Sequence, residues 1–115
     1  MWARVTLIEI DTVRIDTDTA VELYRSEIVP DLRRQPGYAG VLVLANPEGT
    51  GTVVTFWDDA EAAASGGTTG FYAEVLEKFT TIFKAPPGRG SYEVAYAELP
   101  ELPGVAAPVG RPADP

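Results

Sequence analysis

The chain contains no cysteine and no histidine. Without thiols it can form no disulfide, cysteine nucleophile or cysteinyl iron–sulfur site, and without imidazole it has no histidine base and no serine–histidine triad. A transition-metal centre would need an all-oxygen ligand set, which suits zinc poorly, and the carboxylates are spread along helices and turns. Neither a metal nor a bound cofactor is therefore expected. Long apolar runs are missing too: none approaches the roughly 20 residues of a membrane-spanning helix, and no basic region followed by a hydrophobic signal core opens the chain. The expected location is the cytoplasm. Basic residues are scarce, 9 against 17 acidic ones for a net charge of −8. Such a field repels phosphate backbones and anionic lipid surfaces, so neither nucleic acid nor membrane is an expected partner.

What remains is an ordinary globular composition of 115 residues, 45% apolar and 23% charged, enough for one core. The β-branched run Trp2 to Ile10 reads as a first strand. Thr19 and Glu22 have capping-box spacing, and Val21, Tyr24, Ile28 and Leu32 then recur at helical period. Pro30 should bend this helix, and Pro36-Gly37 should end it. Tyr38 to Ala45 and Thr52 to Trp57 read as strands joined by the turn Asn46-Pro47-Glu48-Gly49, hence antiparallel. Asp58-Asp59 opens a short helix, and Gly66 to Gly70 breaks it. That glycine-rich segment precedes a helix but lacks the GxxxxGK[ST] pattern of a phosphate loop, so it reads as a helix break or a lid. Phe71, Val75, Phe79 and Ile82 mark a second amphipathic helix, and Ser91 to Leu99 the last strand.

This order, strand, helix, strand, strand, helix, strand, predicts an α+β fold: a ferredoxin-like split βαβ antiparallel sheet with helices on one face. Residues 1–99 form the domain. Residues 100–115 hold half of the chain's 10 prolines and read as a Pro-rich tail. In the second strand Leu42 and Leu44 point one way and Val41 and Val43 the other; in the third, Val53 and Trp57 oppose Val54 and Phe56. The chain's own helices can cover only one of these apolar faces, so a homodimer through the other sheet face is expected.

The stretch from Arg33 to Ser65, RRQPGYAGVLVLANPEGTGTVVTFWDDAEAAAS, resembles the antibiotic biosynthesis monooxygenase family of dimeric α+β barrel proteins. The carriers are the Pro-Gly-aromatic-x-Gly step at Pro36 to Gly40 and the strand-terminal Trp57 before an acidic, alanine-rich helix. The resemblance implies a dimeric α+β barrel with a cavity between sheet and helices for a hydrophobic or aromatic small molecule. It further implies cofactor-independent oxygenation of an anthrone-, quinol- or polyketide-like compound. A polyketide cyclase or isomerase and a non-catalytic binding protein fit the same cavity. Haem-degrading relatives carry a histidine that this chain lacks. Anthrone-oxidising relatives carry an Asn on the Trp strand, where this chain offers Thr52 and Thr55, its sole Asn being Asn46 in the hairpin turn.

By the same resemblance Trp57 lines the cavity, where its indole could stack a substrate; a packed core tryptophan is the competing reading. Tyr72 and Tyr24 could each hold a substrate oxygen or simply pack. Arg4, a charge within an apolar strand, needs a carboxylate such as Glu93 or a substrate oxygen beside it if buried. Phe71, Thr55 and Tyr38 complete the expected substrate-binding set, with Trp57, Tyr72 and Tyr24 as the catalytic one.

Overall fold

The computed structural model describes residues 1–65, 77, 82, 83 and 88–102. Its elements are β1 (Trp2–Glu9), α1 (Thr17–Leu23), a π-helical turn (Tyr24–Ile28), α2 (Val29–Leu32), β2 (Tyr38–Ala45), β3 (Thr50–Trp57), α3 (Ala60–Ser65) and β4 (Gly88–Glu93). Gly66 to Gly70, the apolar positions Phe71, Val75 and Phe79 of the expected second helix, Tyr72, and the tail beyond Leu102 lie outside the described residues. The four strands form one antiparallel sheet in the order β2-β3-β1-β4. With α1 crossing between β1 and β2, this is the α+β, ferredoxin-like arrangement that the element order predicts.

The first helix starts earlier than its capping-box signature suggests. Asp16, not Thr19, is the N-cap, its carboxylate accepting the Thr19 amide at 2.7 Å. The reason is tertiary: Thr17 is buried and donates its hydroxyl to the Asn46 carbonyl at 2.9 Å, which ties the helix start to the β2–β3 turn. That turn closes on Gly49, whose φ is +91° and whose carbonyl accepts the Ile10 amide at 2.8 Å. A β-carbon there would lie 2.6 Å from the Ile10 carbonyl oxygen, so glycine is required twice over.

Pro30 acts as expected, through a specific device. It has no amide proton to give the Ser26 carbonyl and its ring crowds the preceding turn. The helix answers by widening into the π turn, in which the Val29 amide reaches back to the Tyr24 carbonyl.

Pairing register fixes the two sheet faces. Trp2, Arg4, Thr6, Trp57, Thr55, Val53, Tyr38, Val41 and Val43 face the helices. Ile28 and Leu32 from the first helix and Ala63 from α3 close the core over Trp57. On the opposite face stand Val5, Leu7, Leu42, Leu44, Val54, Phe56 and Tyr92, with Leu7 58%, Leu44 53% and Tyr92 60% exposed. Strand β4 departs from the expectation of Ser91 to Leu99: it begins at Gly88 and stops at Glu93. The cause is the border of the sheet, because Tyr38, Trp57, Trp2 and Glu93 form its last row.

Candidate functional site

The helix-facing side of the sheet carries two adjacent rows of different chemistry. The border row is aromatic, Tyr38, Trp57 and Trp2 lying side by side on β2, β3 and β1. Next to it runs a row of Val41, Thr55, Arg4 and Ser91. A bulge at Ala39 adjusts the register between them on β2.

Trp57 is wholly buried. Tyr38 meets it edge-on, with ring centroids 6.0 Å apart and planes at 80°, the arrangement that aromatic quadrupoles favour. The indole Nε1 donates to the Thr55 hydroxyl at 2.9 Å. A tryptophan so enclosed, with its one donor engaged, serves the core. Its face is occupied by the protein itself.

Thr55 retains a proton to donate. Its buried oxygen accepts from Trp57, which leaves its own hydroxyl proton to donate, and among the described residues no acceptor takes it. Accepting one hydrogen bond polarises a hydroxyl toward giving another.

Arg4 is also buried, at 5% exposure, and the expected ion pair with Glu93 is not what holds it. Glu93 lies exposed opposite Trp2, while the Arg4 guanidinium donates to the carbonyl oxygens of Ala63, at 3.2 Å, and Ala64 at the end of α3. Those carbonyls form the negative end of a helix whose start is capped by Asp59, the carboxylate of which accepts the Ala62 amide at 2.8 Å. The Arg4 charge thus fastens α3 to the sheet beside Thr55.

Tyr24 and Tyr38 are both half-buried against the Trp57 cluster. Tyr24 is the first residue of the π turn. Burial pushes the Tyr38 phenol above its ordinary pKa, with the charge of Arg33 opposing the shift, so it is a neutral hydrogen-bonding group at physiological pH. The structure therefore brings Trp57, Tyr24, Tyr38, Thr55 and Arg4 to one side of the sheet; Tyr72 and Phe71 lie outside the described residues. Trp2 is the member that the sequence reading did not select. Its place in strand β1 was legible, but only pairing register shows that it stands beside Trp57.

Among the described residues no group of three or more carboxylates gathers as a metal site, and no helix is long and apolar enough to cross a membrane. No protein-family model and no curated protein matches the chain. Solved structures do. A candidate antibiotic biosynthesis monooxygenase from Nitrosomonas europaea is 16% identical, with 84% of this chain and 100% of that one covered and a TM-score of 0.65. The ActVA-Orf6 monooxygenase of Streptomyces coelicolor, solved in complex with nanaomycin D, is 22% identical over 87% of this chain and 92% of that one, also at 0.65. Rv0793 from Mycobacterium tuberculosis is 13% identical over 87% and 96%, at 0.59. What these similarities establish is the fold, and it is the fold of the antibiotic biosynthesis monooxygenases, the family that the sequence resembles.

Proposed function

We propose that this chain is a cofactor-independent monooxygenase of the antibiotic biosynthesis type, acting as a homodimer on an anthrone-, quinol- or polyketide-like aromatic. The observation that carries the reading is the half-buried rings of Tyr38 and Trp2, backed by the enclosed Trp57, beside the uncommitted hydroxyl proton of Thr55 and the charge of Arg4 on the helix-facing side of the sheet. A flat phenolic compound needs both: aromatic surface to lie against and donors for its oxygens. The monooxygenase from Streptomyces coelicolor, which shares the fold, was solved with nanaomycin D, and this supports the substrate class.

In this scheme an anthrone methylene loses a proton to water and the resulting enolate gives one electron to dioxygen. Recombination forms a carbon hydroperoxide, which expels water as the new carbonyl forms. One substrate and one dioxygen yield one quinone and one water, so no external reductant is required. The protein orients the ring, keeps out bulk solvent beyond the water that takes the proton, and stabilises the enolate oxygen. Thr55 donates to that oxygen, Tyr24 and Tyr38 bound the ring, and Arg4 supplies positive potential behind Thr55. The proposed role of Trp57 is to hold Thr55 in its donating orientation and to back the aromatic row.

A second reading, a non-catalytic binding protein for a hydrophobic metabolite, draws support from the complete burial and internal hydrogen bond of Trp57, which suit a rigid binding wall. Oxygen uptake with a panel of anthrones and hydroquinones separates the two. Consumption above the protein-free rate that falls in Thr55→Val supports the enzyme; tight aromatic binding without oxygen consumption replaces it with the binding protein.

A further inference from the structure

We infer that Arg33 selects the ligand of the proposed site by charge: the aromatic that lies against Tyr38 carries a carboxylate at its outer edge, and the Arg33 guanidinium holds it. The inference rests on the reading of the helix-facing side of the sheet as an aromatic-binding site and deepens it, by narrowing the ligand to aromatic acids.

The place of Arg33 follows from the chain around it. Leu32, the last residue of α2, is buried in the Trp57 cluster, so position 33 is where the chain leaves the core, and Arg33 is exposed. The chain then turns back at once. The Gln35 amide binds the Leu32 carbonyl at 3.0 Å, the Tyr38 amide binds the Gln35 carbonyl at 3.2 Å, and the Gly37 carbonyl accepts the Asp58 amide at 2.8 Å. This short return brings the helix end to the start of β2, where the Arg33 charge reaches the Tyr38 phenol. Tyr38 in turn meets Trp57 edge-on. A ring that lies against Tyr38 therefore has the guanidinium within reach of a substituent on its outer edge.

Arg33 also differs from its neighbours in charge balance. Arg14, Arg25 and Arg34 each pair with a carboxylate three positions earlier, on Asp11, Glu22 and Asp31. Three positions before Arg33 stands Pro30 and four before stands Val29, neither of which carries a charge, and among the described residues no carboxylate pairs with it. An arginine presents a planar, permanently charged fork that a carboxylate meets with two parallel hydrogen bonds. A neutral hydroxyl gains less from the same place. The net charge of −8 opposes an anion at long range, so the selection is made by contact and not by steering.

The test compares anthraquinone-2-carboxylate with anthraquinone-2-carboxamide, probes of one ring and nearly one shape that differ in charge at neutral pH. In titration calorimetry at about 0.15 M salt, the full chain should bind the acid about tenfold or more tightly than the amide, the scale of one charge-assisted hydrogen bond. Arg33→Gln, which keeps a long polar side chain at an exposed position, should erase that preference and leave the affinity for the amide unchanged; Arg33→Lys should keep part of it. Arg34→Gln, next in the chain but already paired, should leave the preference in place. Equal affinities in the native chain, a preference that survives Arg33→Gln, or one lost equally in Arg34→Gln would each overturn the inference. Oxygen uptake is read separately: selection of the acid through Arg33, on a chain that consumes no oxygen with any anthrone, keeps this inference and removes the oxygenase reading. If neither probe binds, the aromatic site and this inference fall together.

Discussion

Trp57 and Thr55, two residues apart on β3 and therefore on one face of the sheet, are joined side chain to side chain by a 2.9 Å hydrogen bond from indole to hydroxyl. The bond engages the indole's one donor and leaves the threonine with a hydroxyl proton to give.

Exchanging the two residues separately should separate their roles. Thr55→Val keeps the shape but leaves a buried indole donor without its acceptor, an expected cost of about 1–3 kcal/mol, together with loss of oxygenase turnover. Trp57→Phe removes the donor and keeps much of the packing, so the fold should persist while activity falls. Trp57→Ala should cost about 3–5 kcal/mol in urea unfolding, as truncation of a large buried aromatic does. Turnover unaffected in Thr55→Val would show that its hydroxyl does not meet the substrate.

Arg4→Met removes the donor that fastens α3. The carbonyls of Ala63 and Ala64 then lose a charged partner, and stability should fall by about 1–3 kcal/mol. Both bonds come from one guanidinium nitrogen, so Arg4→Lys, whose ammonium carries three donors on a differently shaped stem, should restore part of that stability. Equal midpoints for the native chain and Arg4→Met in thermal unfolding would contradict the role.

Asp16 caps α1, and its hydrogen bonds with Thr19, backbone and side chain, lower its pKa below the ordinary carboxylate value. The folded state therefore binds this proton more weakly than the unfolded chain. Its contribution is fully present above the unfolded pKa of about 3.9 and is lost as pH falls through the lower folded value. Asp16→Asn, also a good cap, should keep much of the midpoint at neutral pH while flattening its dependence below about pH 4. Asp16→Ala should lower the midpoint at both. The checking measurement is a series of thermal melts from pH 7 to pH 2.5.

Purified protein should carry neither haem nor a tightly held transition metal, because the sequence has no imidazole or thiolate to bind one. Elemental analysis after dialysis and a visible spectrum check this. One equivalent of iron or zinc, or a Soret band, would reveal an oxygen-ligand centre.

Much of the architecture was legible because local and global signals agree there. Strand β2 spans Tyr38–Ala45 as its alternation and the flanking Gly37 and Asn46 predict, and β3 ends at Trp57 where Asp58-Asp59 begin the next cap. Departures occur where a tertiary contact outranks a local one. The capping-box pattern at Thr19 lost to Asp16 because Thr17 docks on the Asn46 carbonyl, a contact 29 positions away. The last strand stops short of its expected end because β-propensity continues to Leu99 although neighbouring strands do not. For the site, residue types were readable but adjacency was not: the partner of Arg4 is a helix end, and Trp2 joins Trp57 only through register.

The last helix of the described core, α3, has alanine at four of its six positions. It approaches so closely that a β-carbon on Gly37 would sit 3.1 Å from that of Ala62, while the Asp58 amide binds the Gly37 carbonyl at 2.8 Å. The wall it gives the Trp57 cluster is thus made of main chain and methyl groups, which have no rotamers to change. Room on that side of the core is set by backbone spacing and does not adapt to what enters. Under the proposed function, selection for a larger or smaller ligand would act on Tyr24, Tyr38 or Trp2, whose side chains are only partly buried against that cluster.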